Sequence, residues 1–140
     1  MAWFSSTAEY ALRSLSHLAE RGGEDPAILG RDLAELTQIP ANYLSKILLT
    51  LNRAGIVEAT RGLGGGYRLR RPASEVYLAE VLELFDPPEG DSACFLGGGR
   101  VCSAENPCPA HDRWRLVRQT YLDFTRNTTL AEIARPAAER

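Results

Sequence analysis

Between Cys94 and His111 the chain places all three of its cysteines and one of its two histidines. Seven residues separate Cys94 from Cys102, five separate Cys102 from Cys108, and two separate Cys108 from His111. Thiolates are soft ligands, and a loop that gathers three of them suits zinc, copper(I) or an iron–sulfur cluster. The stretch is rich in Gly and Pro, so it is a loop and not the interior of a helix or strand. Three cysteines together with a histidine also make a recognised zinc set, but zinc sites usually pair their cysteines about two to four residues apart. The gaps here are longer, which favours an iron–sulfur cluster over zinc. His111 stands near a helix start, where the dipole disfavours an imidazolium but not a neutral imidazole ligand.

A loop that presents ligands needs a scaffold. The chain has 140 residues, enough for one compact core with an appended helix. Its 44% hydrophobic and 24% charged content is that of a globular protein. No apolar run approaches the length of a membrane span. The N-terminal residues lack the pattern of a signal peptide, so a cytoplasmic protein is expected, and there cysteines serve as ligands or redox thiols more often than as disulfides.

The net charge of −2 hides an asymmetry. Residues 30–72 carry seven basic and three acidic side chains, a local charge of +4. Residues 73–112 carry eight acidic side chains and only Arg100, a local charge of −7. A confined basic patch is the footprint expected of a phosphate-binding surface.

Hydrophobic spacing predicts a first helix over 5–21, with Ala8, Ala11, Leu12, Leu15, Leu18 and Ala19 on one face and Ser6 with Glu9 as a capping box. A short helix over 29–37 should turn Leu29, Leu33 and Leu36 inward. After the turn Thr37-Gln38-Ile39-Pro40, a third helix should run to Arg53, burying Leu44, Ile47, Leu48 and Leu51. That helix leaves polar residues outward, and the pair reads as a helix-turn-helix. Asn42, Tyr43, Ser45 and Lys46 are its candidate DNA contacts, with Tyr43 equally able to pack. Strands at 56–60 and 67–70 flank the glycine run 62–66, making a wing with Arg61 at its tip, suited to a minor groove or its phosphates. The glycine run lacks the Gly-Lys-Ser/Thr ending of a nucleotide-binding loop. Further helices are expected over 75–86, with Leu78, Val81, Leu82 and Phe85 inward, and from Pro109 to Arg126, with Trp114, Val117, Tyr121 and Phe124 in one stripe. Thr129 and Glu132 form a capping box for a short last helix. His17 is given no role.

The run Ile39-Pro40, Tyr43-Leu44, Lys46, Leu48, Leu51, Ala54-Gly55-Ile56-Val57, Arg61-Gly62, Gly64-Gly65-Gly66-Tyr67 and Leu69 resembles the signature of the Rrf2 family of bacterial winged helix-turn-helix regulators. The resemblance covers Ser5 to about Phe124. It implies a mostly α fold with a small β-hairpin wing and a long C-terminal dimerisation helix. It also implies a homodimer and an iron–sulfur cluster on Cys94, Cys102 and Cys108. His111 matches the histidine ligand of IscR-type members, which favours a 2Fe–2S cluster. Glu9 falls where NsrR-type members place an acidic ligand donated by the other subunit, and it is the alternative fourth ligand, with 4Fe–4S the other cluster. The first spacing departs from the family's usual five or six residues, which leaves the ligand set open.

The expected organisation is a DNA-binding domain over 1–72, a connecting helix over 73–90, the cluster loop over 91–111 and the dimerisation helix with its tail over 112–140. The expected partners are double-stranded DNA with a palindromic operator and a second copy of the chain, with no membrane and no small-molecule substrate. The function that follows is transcription regulation by a cluster-sensing repressor or activator, not an enzyme. The alternative is a zinc- or thiol-stabilised winged-helix module that binds DNA or protein without sensing.

Overall fold

The computed structural model describes residues 3–21, 27–87, 94–96 and 102–134. The elements in chain order are α1 (Ser6–Arg21), α2 (Gly30–Thr37), α3 (Ala41–Arg53), β1 (Val57–Thr60), β2 (Gly66–Leu69), a 3-10 turn (Ala73–Glu75), α4 (Leu78–Phe85), α5 (His111–Asn127) and α6 (Leu130–Ile133). β1 and β2 pair antiparallel, with Val57 opposite Leu69 and Thr60 opposite Gly66. The fold is the expected one, mostly helical with a hairpin wing.

α1 is the central element. It packs against α2, α3, α4, α6 and β2. Ala8, Ala11, Leu15 and Leu18 form its buried face at helical spacing. The core they enter continues through Leu33, Leu44, Ile47, Leu48, Leu51, Ile56, Val57, Val76, Val81 and Leu130. Thus a residue from α6 closes the same core that the helix-turn-helix begins.

The helix-turn-helix is set by one non-glycine residue at positive φ. Gln38 has φ 59° and caps α2, and Ile39 donates its N–H to the Ala34 carbonyl at 3.1 Å. That left-handed cap reverses the chain at once into α3. Pro40 precedes the first turn of α3, and its carbonyl accepts from Leu44 N–H at 3.0 Å.

Several local expectations are corrected. Leu29 and Leu36 are exposed, at 40% and 57%. α2 turns Leu33, Ala34 and Thr37 to the core, and both leucines fall about a quarter-turn from that arc. Ser5, not Ser6, caps α1: its hydroxyl accepts from Ala8 N–H at 3.2 Å and its carbonyl from Glu9 N–H at 3.0 Å. The helix expected over 75–86 begins three residues later. Tyr77 instead makes a bridge with Thr129, and Leu78 N–H donates to the Thr128 carbonyl at 2.9 Å. The Thr129–Glu132 capping box is present, with Thr129 N–H donating to Glu132 Oε2 at 2.7 Å.

Candidate metal centre and nucleic-acid interface

The cysteine sulfurs converge. Cys94, Cys102 and Cys108 place their Sγ atoms within 4.8 Å of one another. A tight turn does much of this. Asn106 N–H donates to the Ser103 carbonyl and hydroxyl, both at 3.2 Å, and folds the five residues between Cys102 and Cys108 back on themselves. Cys102 is buried while Cys94 and Cys108 are half-buried. Cys108 N–H donates to Cys102 Sγ at 3.2 Å. His111 Nδ1 lies 3.1 Å from the same sulfur, and the tautomer decides which atom donates. His111 is also the first residue of α5, and its N–H bonds to the Cys108 carbonyl at 3.0 Å. Three converged thiols, with a backbone N–H directed at one sulfur, fit a soft metal centre. His111 stands beside Cys102 and outside that converged group.

Glu9 is elsewhere. It pairs with Arg13 one turn along α1 at 2.9 Å, and more than half of its side chain is exposed. Arg13 also donates to the Thr37 carbonyl at 3.3 Å, so this pair sits where α1 meets the end of α2.

A ring contact connects the loop to the scaffold. Phe95, next to Cys94, packs on Trp114 with centroids 5.2 Å apart and planes at 58°. Trp114 stacks on Trp3 at 6.0 Å, and Trp3 stacks on Tyr121 at 5.3 Å. Tyr121 has its phenol pushed up from the ordinary value, first by burial and then by the Asp86 carboxylate.

The second candidate site is α3 with the wing. Asn42, Tyr43, Ser45, Lys46 and Arg61 are all exposed. Tyr43 is 56% exposed and so is not packed into the core. The Ser45 hydroxyl donates back to the Ala41 carbonyl at 2.9 Å and keeps its lone pairs outward.

The wing is stiffened by close backbone approach. Ile28 and Tyr67 exchange two backbone hydrogen bonds, at 3.0 and 2.7 Å, which ties the hairpin to the segment before α2. A Cβ on Gly66, whose φ is 134°, would lie 2.2 Å from the Ile28 carbonyl oxygen. A Cβ on Gly65 would lie 2.5 Å from the Thr60 carbonyl oxygen. These glycines therefore allow chain-on-chain contact. Leu63 stands fully exposed at the hairpin tip. The sequence reading passed over Leu63, Ile28, Phe95 and Trp3. Only the apolar character of Leu63 inside a glycine run was a local signal.

A winged helix-turn-helix with a thiol cluster at the foot of a long helix defines a class of DNA-binding regulator. The Rrf2 family profile, described as an iron-dependent transcriptional regulator, matches residues 4–136. The chain belongs to the Rrf2 family of transcriptional regulators, and DNA binding comes with that membership. It is similar to the HTH-type transcriptional regulator IscR of Serratia proteamaculans (strain 568), at 32% identity over 92% of this chain and 77% of the relative. It is similar to an HTH-type regulator of Aquifex aeolicus (strain VF5), at 30% identity over 93% of this chain and 90% of that protein. Among solved structures it resembles CymR, the global cysteine regulator of B. subtilis, with TM-score 0.77, 25% identity and coverage of 96% and 97%. The fold also matches T. potens IscR, with TM-score 0.72, 23% identity and coverage of 94% and 85%. These relatives are regulators, not enzymes. No helix among the described residues is long and apolar enough to cross a membrane.

Proposed function

We propose that this chain is a cytoplasmic, homodimeric repressor or activator whose affinity for a palindromic operator is set by an iron–sulfur cluster on Cys94, Cys102 and Cys108. The observation that carries the reading is the convergence of three sulfurs within 4.8 Å at the start of α5, in a family described as iron-dependent. His111 is the preferred fourth ligand because it already touches Cys102 Sγ, and this set favours 2Fe–2S. Glu9 from a second subunit is the alternative, with 4Fe–4S, and it would have to leave Arg13 to serve. When bound, the cluster supplies a redox- and nitric-oxide-labile centre. The expected loop 91–111 is described at 94–96 and 102–111, with the rest outside the described residues. There the three thiolates would tie Cys94 and Cys102 to the start of α5 and set that helix against the DNA-binding domain 1–72 by way of the connecting helix in 73–90. Loss of the centre releases that arrangement and changes the spacing of the two recognition helices.

Asn42, Tyr43, Ser45 and Lys46 meet base edges and phosphates, and Arg61 reaches the minor groove or its backbone. One recognition helix serves one half-site, so two copies are needed. The dimerisation surface is the exposed stripe of α5 within 112–140. Leu116, Val117, Tyr121 and Phe124 line an open groove of about 460 Å³ beside Trp3, and Leu116 and Phe124 are 68% and 54% exposed. Apolar exposure of that extent marks an interface.

The test is anaerobic purification with iron, sulfide and visible spectra for wild type, His111→Ala and Glu9→Ala. Stoichiometric iron and sulfide, with the spectrum altered in His111→Ala alone, is expected. An unchanged His111→Ala spectrum with the cluster lost in Glu9→Ala reverses the ligand ranking. Colourless protein holding zinc defeats cluster sensing. A second reading keeps the fold and replaces the cluster with one zinc ion. It draws on the compactness of the sulfurs, since Zn–S bonds of about 2.3 Å put tetrahedral thiolates roughly 3.8 Å apart.

A further inference from the structure

The chain contains two tryptophans, and both belong to one stack that begins beside a candidate ligand. Phe95 follows Cys94, so a backbone shift at that candidate ligand carries the ring with it. Trp114 lies one turn into α5 from His111. The Phe95–Trp114 contact therefore clasps the two ends of the cysteine loop together, at a centroid distance suited to tilted aromatic pairs. The stack then leaves the loop. Trp114 passes to Trp3 with planes at 22°, and Trp3 to Tyr121 with planes at 20°.

Trp3 lies two residues before Ser5, and Ser5 is a junction. Its N–H donates to Asp86 Oδ2 at 2.6 Å, at the end of α4, and its hydroxyl caps α1. α1 packs directly on α2 and on the recognition helix α3. The path from Cys94 to the DNA-facing helix is thus continuous: a ring next to a sulfur, two stacked indoles, a helix cap and a rigid helix. Trp3 and Phe95 are 48% and 47% exposed, so the first part of the path runs over the surface as ring contacts. The packed helices α1 and α3 that it reaches shift as units.

We propose that Phe95, Trp114 and Trp3 are positioning residues that transmit the state of the cysteine loop to the N-terminus of α1, and so to the recognition helix. The proposal rests on the regulatory reading above and names its route within one chain. Coupling is reciprocal, so loosening the stack at Trp3 must also loosen the loop around Cys102.

Two measurements test it. The first is operator affinity of cluster-loaded and cluster-free protein, for wild type, Phe95→Ala and Phe95→Tyr, with cluster content set by visible absorbance and dimer state by light scattering. Wild type should show a loaded-to-free ratio in the usual range for coupled sites, about 5- to 150-fold. Phe95→Ala should load its cluster normally while that ratio falls to within about twofold, and Phe95→Tyr should restore it. A purely packing role would weaken both forms alike and leave the ratio unchanged, which overturns the proposal.

The second measurement needs no cluster. Cys102 is 5% exposed, so its alkylation by iodoacetamide in metal-free protein is slow while the loop keeps this arrangement. Trp3→Ala should accelerate it by about fivefold or more, with the tryptophan emission of Trp114 shifting in step. An unchanged alkylation rate overturns the proposal. If wild type takes up no iron or sulfide, the cluster reading falls and the alkylation result decides the relay alone.

Discussion

Two glycine-rich segments of this molecule look alike in composition and behave as opposites. The wing loop 61–66 is held by backbone. The β1–β2 ladder, the Ile28–Tyr67 bridge and the Gly62 carbonyl bond to Gly65 N–H define it without any side-chain ligand. In the described part of 94–111, the holding contacts are sulfur, imidazole and ring contacts, supported by the Ser103–Asn106 turn. Glycine in the wing permits close approach. In the described part of the cysteine loop the chain is held through side chains instead. The first segment is suited to a constant surface and the second to a conditional one.

The largest expected break in this contrast is at the sulfurs. Cys94→Ala, Cys102→Ala and Cys108→Ala should each abolish iron and sulfide binding while helical content and cooperative unfolding persist. The main core draws on α1 to α4, Ile56, Val57 and Leu130 and owes nothing to these thiols. Stoichiometric iron in all three variants would sink the assignment.

Gly66→Ala attacks the other segment. Its Cβ meets the Ile28 carbonyl and its φ is one that L residues rarely adopt. The expected cost is about 1–3 kcal/mol or more, seen as a lower urea midpoint, with cluster content unaffected. Equal loss of both would erase the distinction between the loops.

Lys46→Ala sharpens the DNA side. A base-edge contact predicts a loss of about 1–3 kcal/mol and relaxed preference at one operator position. Arg61→Ala should be smaller and uniform across sequences, flattening the salt slope by about one unit. Binding isotherms on cognate and scrambled duplexes at several salt concentrations separate the two. Wild-type affinity in both variants would remove this face from the interface.

The smallest effect is at Tyr121. Its phenol is raised above 10.0, so the neutral form is favoured by the fold. That contribution is complete below pH 10.0 and is lost as pH rises through the raised value. Alkaline titration of tyrosinate absorbance should show a late phenol that is lost in Tyr121→Phe, and Asp86→Asn should bring it part of the way down, because burial remains. An unmoved late phenol in Asp86→Asn would detach Tyr121 from the junction at Ser5.

The sequence was readable where chemistry is local. Three cysteines in one stretch, the apolar period of α3 and the Thr129–Glu132 pair need no distant partner to be recognised. The α1 cap shows the limit. Ser5 and Ser6 both stand before suitable residues, and Ser6 has the better local pattern with Glu9. Asp86, 81 residues away, binds Ser5 N–H and goes with a cap at Ser5, while Arg13 takes the Glu9 carboxylate. In the same way Leu29 and Leu36 matched a helical stripe, yet the eight residues of α2 present only Leu33, Ala34 and Thr37 to the core.

By itself, then, the chain's order of residues determined its class of fold, its basic winged module and its thiol loop, because hydrophobic period, turn chemistry and ligand type are properties of short segments. Only the tertiary structure decided that Ile28 pins the wing, that Thr129 bridges Tyr77, and that Phe95, Trp114, Trp3 and Tyr121 meet in one stack. Those contacts join residues dozens to more than a hundred positions apart, or across a folded loop, and no local pattern encodes which distant surface a side chain will find once the core has closed.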